Sequence, residues 1–343
     1  MNQATHAWLA VEAYRKIAVL AKTDEGKKRK LGGLERLLGE NLKDVVVAAW
    51  LPDSLIKDMQ YGHIFKNSNY TGTQRARFIL KKEDLKKHLV GSARVPKVAF
   101  DAVPDAWWKR PYRVKDNGGH LPARVNALCQ TARDMLRMGD DDVIALTEIV
   151  PKGAESINKA FRSSPRDIAM MLWMVSHYVA DAHMPLHCDN RGFASTAKQK
   201  THCAVEELWG KQVADLFYSK QILKKNADAI LGAKPPEGSM FAALDFGDRV
   251  DLLKNNGDPW SEAVFICRAS FAASFALVPE KIAKVDDVKK RVSLDDIRTC
   301  DFCGEDRFWA LSQAIMADAA SAIAMFWQDV WLDFTCKKKV KAQ

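Results

Sequence analysis

Apolar side chains return every three or four positions along most of this chain, the period of helices laid against a core. Thr5 to Lys22 reads as an amphipathic helix, with Thr5 as N-cap and Trp8, Val11 and Ala18 among its apolar positions. The pattern predicts a second helix from Leu34 to Trp50, ended by Pro52. A third runs from Leu121 to Met138, with Pro122 suited to its first turn and Gly139 just past its end. Ser164-Pro165 opens a fourth, which reaches about Met184 and must stop at Pro185. Thr201 caps a fifth that extends into the 220s, and Pro259 to Ala276 forms a sixth. The seventh, Asp306 to about Asp333, is long and rich in Ala, Trp and Phe. Strand signals are almost absent. Only Tyr61 to Gly119 lacks helical period, with Lys, Arg, Gly and Pro alternating with aromatics. It reads as a long irregular excursion, with room for a short hairpin, of the kind that usually carries function in compact domains. The alternative is an insertion with no role. The expectation is an all-α protein, one large multi-helix domain over residues 1–343 with an insertion-like segment at 61–119.

Composition narrows the class. Of the 343 residues 48% are apolar and 28% charged, enough for a sizeable core and too apolar for a disordered chain. The longest nearly apolar stretch, Ala263 to Val278, is interrupted by Arg268, so no transmembrane segment is expected. Lys and Arg outnumber Asp and Glu by 52 to 43, and a net charge of +9 favours anionic partners. Seven cysteines, an odd number spread over the chain, do not form a disulfide framework. The opening residues show no basic segment followed by an apolar one. The expected location is the cytoplasm on the sequence as given, or outside it if an export signal was trimmed.

Candidate chemistry gathers on histidine. His177 and Asp181 stand at i, i+4, about 40° apart on one helix face, so both can reach one cation. Pro185 then breaks the helix and lets His187 return from another direction. His202 and Glu206 repeat the spacing just inside a helix start. Imidazole and carboxylate ligands of this kind suit zinc, whose catalytic sites leave a position open for water. The helix around His177 is otherwise apolar, and burying an ionised Asp181 there without a cation would be costly. His183, about 240° round from His177, is expected to pack or support rather than ligate. His88 and His120 read as ordinary surface or loop histidines. Cys300 and Cys303 lack the partner pair a structural zinc needs, and Cys188 and Cys203 point away from the ligands they follow.

His177 to His187 followed by His202-x-x-x-Glu206 resembles the zinc-dependent phospholipase C superfamily, which also contains the trinuclear-zinc single-strand nucleases. His6 in Thr5-His6-Ala7-Trp8, Asp53 in Trp50-Leu51-Pro52-Asp53 and His63 in Tyr61-Gly62-His63 fall in that superfamily's order, so the likeness spans Met1 to about Trp209. The resemblance implies three zinc ions. Asp53, His63, His177 and Asp181 would hold one, and His187, His202 and Glu206 a second. His6, the other oxygen of Asp181 and the main-chain amine and carbonyl of Met1 would hold the third, leaving two ions if that site is degenerate. The superfamily usually begins at a Trp, and this chain begins at Met1. Glu206 resembles the phospholipase branch, whereas Asp181-x-His183-x-Pro-Leu-His187 leans toward the nucleases.

The implied activity is phosphodiester hydrolysis, in which ion-activated water attacks phosphorus in line and Asp53 orients it or accepts its proton. Phe65, Trp107 and Trp108 are candidate substrate-binding residues. Trp107 to Lys115 interleaves rings with cations, which suits stacked bases, a lipid interface, or a solvated loop with its tryptophans folded onto the body, so phospholipid and single-stranded nucleic acid both remain open. No protein partner is inferable. A non-catalytic helical protein with structural metal is the alternative. A di-iron carboxylate bundle, which needs Glu-x-x-His pairs, fits less well.

Overall fold

The computed structural model describes residues 1–57, 62–65, 120–138, 163–189, 201–218, 226–242, 244, 258–277 and 304–341. Among these residues there are helices and no strand. In chain order they are α1 (Gln3–Ala21), α2 (Asp24–Lys28), α3 (Leu31–Glu40), α4 (Val45–Ala48), α5 (Leu121–Met138) and α6 (Pro165–Ala182). Then follow α7 (Pro185–Cys188), α8 (Thr201–Lys211), α9 (Ala227–Gly232), α10 (Pro259–Leu277) and α11 (Gly304–Lys341). The fold is all-α. Of the 61–119 excursion only residues 62–65 are described; Trp107 and Trp108 lie outside the described residues, as do His88, Cys300 and Cys303.

α1 differs from its expected form in two ways. Its N-cap is Asn2, whose Oδ1 accepts from the Thr5 N–H at 3.0 Å and from the Thr5 hydroxyl at 2.9 Å. It is also buried on every side from Ala4 to Tyr14, so it runs through the core instead of lying on it. The single helix expected over Leu34 to Trp50 is broken. α3 stops at Glu40, the Asn41 side chain donates back to the Leu37 carbonyl, and a 3-10 turn, Leu42–Asp44, leads into the short α4. Pro52 opens a π-helical turn, Pro52–Ile56, closed by the Lys57 N–H donating to the Pro52 carbonyl at 2.8 Å.

α5 has the predicted bounds. α6 begins with a capping box between Ser164 and Asp167 and ends at Ala182, two residues earlier than expected. Met184, preceding Pro185, takes an extended backbone, which lets Pro185 start α7 in a new direction. α8 ends at Lys211, followed by a 3-10 turn at Asp215–Phe217, so it falls short of the 220s. α11 is longer than expected. Its segment Phe308–Thr335 is apolar and long enough to cross a membrane, yet 78% of its most apolar window is buried inside the protein, as for a central core helix.

Tryptophans tie α11 to its neighbours. The Trp209 indole donates to Ser312 at 2.9 Å, Trp327 to the Leu172 carbonyl at 2.8 Å, and Trp331 to the Lys30 carbonyl at 3.0 Å. Trp173 and Trp327 meet edge to face at 5.1 Å. These links order the bundle along its axis. The start of α1, the end of α6, α7 and α8 meet at one end. The end of α1, α2, the start of α3 and the stretch of α11 around Trp331 meet at the other.

Candidate metal centre

Each ligand-type side chain reaches the first end of the bundle for a local reason. His6 lies in the first turns of α1, where the Asn2 cap fixes the helix start. Its ring stacks on His177, centroids 3.8 Å apart and planes 16° apart. Asp53 lies in the π-turn, which turns one residue more per hydrogen bond than an α-turn would. Its Oδ1 stands 3.6 Å from Nε2 of both His63 and His177. His63 sits in a short segment pinned on its C-terminal side, the Phe65 N–H donating to the His187 carbonyl and the Leu121 N–H to the Ile64 carbonyl.

Asp181 is the hub. One of its oxygens, Oδ2, faces His63 Nδ1 at 2.6 Å and His177 Nε2 at 3.3 Å. The other, Oδ1, faces the Met1 amine at 3.1 Å, His6 Nε2 at 3.4 Å and His187 Nδ1 at 3.5 Å. The Met1 amine also lies 2.7 Å from Glu206 Oε1. Glu206 in turn meets His202 Nε2 at 2.8 Å and His187 Nε2 at 3.3 Å. Three ligand-type groups emerge among the described residues: His6, Asp53 and His177; His63, His177 and Asp181; and His187, His202 and Glu206.

The donor set fits divalent cations on three counts. First, two ligand atoms on one tetrahedral zinc, each about 2.0–2.1 Å from it, stand about 3.3 Å apart. Most imidazole-to-carboxylate separations here, 3.3 to 3.6 Å, are close to that spacing and too long for good hydrogen bonds. Second, both ring nitrogens of His6 and Nδ1 of His187 are buried without a hydrogen-bond partner, a cost that a ligated ion removes. Third, the His177 Nδ1–H donates to the Ala49 carbonyl at 2.7 Å. That bond leaves the Nε2 lone pair aimed into the cluster, the usual arrangement behind a metal-bound imidazole.

The electrostatics point the same way. Burial pushes the His6 imidazole well below its usual range and holds His187 down at about 4, so both are neutral donors at pH 7. Burial alone would raise the Asp181 and Glu206 carboxyls. The Met1 ammonium and the surrounding imidazoles outweigh it and hold both well below the carboxylate range. Asp53 differs: burial dominates there and pushes its carboxyl up. Burial also works against the Met1 ammonium, but Asp181 and Glu206 override it and raise that group to about 11.

All nine ligand-type residues expected from the sequence, Met1, His6, Asp53, His63, His177, Asp181, His187, His202 and Glu206, thus converge at this end. His6 shows one unforeseen proximity, standing with Asp53 and His177 as well as near Asp181. Phe65 is buried at 2% exposure and meets His120 edge to face at 6.2 Å, so it lies in the wall beneath His187. His183 packs against its own helix, its Nδ1–H donating to the Val179 carbonyl at 2.8 Å.

Several contributors carry no metal-ligand signature in sequence. Trp50 is half-buried and tilts beside His6 at 5.9 Å and His177 at 6.1 Å. Asn2 fits against Gly210 of α8, where a Cβ would come within 1.6 Å of Asn2 Nδ2. Behind the α6–α7 turn, two serines one turn apart on α10 hold its ends: Ser270 donates to the Ala182 carbonyl and Ser274 to the buried carboxylate of Asp189. Comparison with protein-family models, curated proteins and solved structures finds no match to this chain.

Proposed function

We propose that this protein is a metal-dependent phosphodiester hydrolase, related to the zinc-dependent phospholipase C and single-strand nuclease superfamily that its motifs resemble, and that it holds three zinc ions. One observation carries the reading: ligand-type groups from five separated stretches, residues 1–6, 53, 63, 177–187 and 202–206, form one connected cluster with Asp181 at its hub. A closed structural site needs four ligands for one ion, whereas this many donors around one bridging carboxylate suits several ions with open positions. Imidazole nitrogen with carboxylate oxygen favours zinc among common divalent ions.

When bound, such ions lower the pKa of ligated water toward neutrality and offset charge on phosphoryl oxygens. The residues supply the rest. Asp181 divides its oxygens between the His63–His177 side and the Met1–His6–His187 side, and so fixes their separation. The most open side chains are His202 at 23%, Glu206 at 17% and Asp53 at 12%, against 7% or less for the other ligand-type side chains. The substrate phosphate therefore enters between the Asp53 and His202–Glu206 sides. Asp53, the more open carboxylate beside His63 and His177, accepts a proton at Oδ1 from the attacking water. Trp50, alongside His6 and His177, limits solvent on that flank.

The test is metal analysis together with turnover of bis(p-nitrophenyl) phosphate. Asp53→Asn should keep most of the metal and lose about 100-fold or more in rate. An Asp181→Ala protein with full zinc content and full turnover overturns the proposal. Full zinc in the parent with no turnover of any phosphodiester would instead indicate a structural role.

A further inference from the structure

The metal-ligand cluster uses one end of the bundle, and among the described residues a dense run of cations sits at the other. Residues 22–30 hold five Lys and Arg against Asp24 and Glu25, and Lys22, Lys27, Lys28 and Lys30 are exposed. α11 closes onto this stretch. The Trp331 indole donates to the Lys30 carbonyl and lies against Gly33, where a Cβ would come within 2.5 Å of the ring. The same helix then continues to Lys341. The topology thus brings α11, some 300 residues further along the chain, against a run of five cations with two acids. Half-buried Trp331 and Phe334, ring centroids 5.5 Å apart, stand on the stretch of α11 that meets this run.

We propose that this pole is a docking surface for single-stranded nucleic acid. Surface ion pairs neutralise little of it: Lys27 meets Asp24 at 3.4 Å and Arg29 meets Glu25 at 2.5 Å, both at exposed positions. Concentrated cations beside partly exposed rings are the combination that binds phosphates and stacks bases without sequence preference. Distance argues against a lipid surface serving the same centre. Sixteen helical rises along α1 to its C-cap carry the chain from His6 to Lys22, about 24 Å at 1.5 Å each. A bilayer held at this pole would keep its phosphodiesters that far from the metal-ligand cluster. A strand, with one phosphate per about 3.4 Å, spans the gap in about seven nucleotides. The choice of a strand over a lipid surface rests on the hydrolase reading; the attraction of this pole for polyanions does not.

The test is fluorescence anisotropy of fluorescein-labelled dT20 with the full chain in chelator, so that nothing is cut. The parent is compared with Lys27→Glu/Lys28→Glu/Lys30→Glu. The triple variant should bind dT20 at least 10-fold more weakly at 100 mM NaCl. Its log–log salt slope should fall by about 2, at about 0.7 for each phosphate no longer neutralised. Turnover of bis(p-nitrophenyl) phosphate by the metal-loaded variant should equal the parent's, which shows the other end intact. A parent with no such turnover sinks the hydrolase reading while the dT20 measurement still tests the pole. Equal dT20 binding by parent and variant overturns the proposal. So does lysine-dependent sedimentation with phosphatidylserine vesicles by a chain that ignores dT20.

Discussion

Gly210 offers a way to move the Met1 amine while leaving the rest of the bundle nearly untouched. In Gly210→Ala the new Cβ would lie 1.6 Å from Asn2 Nδ2 and 2.6 Å from its Cγ, so the Asn2 side chain must leave its slot. Losing an Asn N-cap costs about 1 kcal/mol. Replacing Gly by Ala within a helix returns about 0.8–1 kcal/mol. The two effects nearly cancel, so the unfolding free energy in chelator should change by less than about 1 kcal/mol and the melting temperature by a few degrees. The displacement does not cancel. Asn2 is bonded to Met1, whose amine lies 3.1 Å from Asp181 and 2.7 Å from Glu206. The expected result, by elemental analysis of protein with a mass-verified first residue, is one ion fewer than the parent at near-parental stability. Asn2→Ala should cost the uncompensated 1 kcal/mol or so and weaken the same ion. A Gly210→Ala protein that keeps every ion at parental affinity refutes the reasoning, because the amine would then not be a ligand held by Asn2. A large fall in melting temperature would refute it differently, by showing that the clash spreads beyond Asn2.

Further outcomes follow from the same geometry. His187 is held at about 4 against about 6.5 when unfolded, so in chelator its contribution is complete above pH 6.5 and is lost as pH falls toward 4. At 1.36 kcal/mol per pKa unit that is about 3 kcal/mol, and urea unfolding at pH 7 and pH 4.5 should show a large part of it, with a shallower dependence in His187→Gln. Ser274→Ala removes the hydroxyl that donates to buried Asp189, should destabilise the chain by about 1–3 kcal/mol, and should weaken the ion on His187, with Ser274→Thr recovering both; unchanged metal affinity would count against α10 as a brace. Cys203 is exposed while Cys129, Cys188 and Cys267 are buried, and burial pushes the Cys129 thiol to about 12 and Cys267 well up. Thiol labelling mapped by peptide mass should therefore modify Cys203 in the native protein and spare those three.

What could be read in advance divides by the range of the signal. The bounds of α5 are legible because Pro122 and Gly139 are local stops. The burial of α1 is not. Periodicity tells which faces are apolar, whereas Thr5, His6, Glu12 and Lys16 are covered by elements distant in sequence. The break at Asn41 depends on a side chain choosing a carbonyl over continued helix, an alternative that helix period does not reveal. In the cluster, the His177–Asp181 and His202–Glu206 pairs are visible because each lies on one helix face. Their meeting with His6, Asp53 and His63 follows from motif order, not from spacing. The Ala49 carbonyl behind His177, the Asn2–Gly210 fit and the Ser274–Asp189 brace are backbone or long-range features that no residue type announces.

The π-turn at Asp53 makes the length of that connection a chemical matter. An α-helix advances about 100° per residue. Deleting one position within Pro52–Ile56 would let the turn relax to ordinary helix and rotate the carboxylate by about that angle, away from His63 and His177. The shortened protein would have a more regular backbone and a poorer grip on its cations.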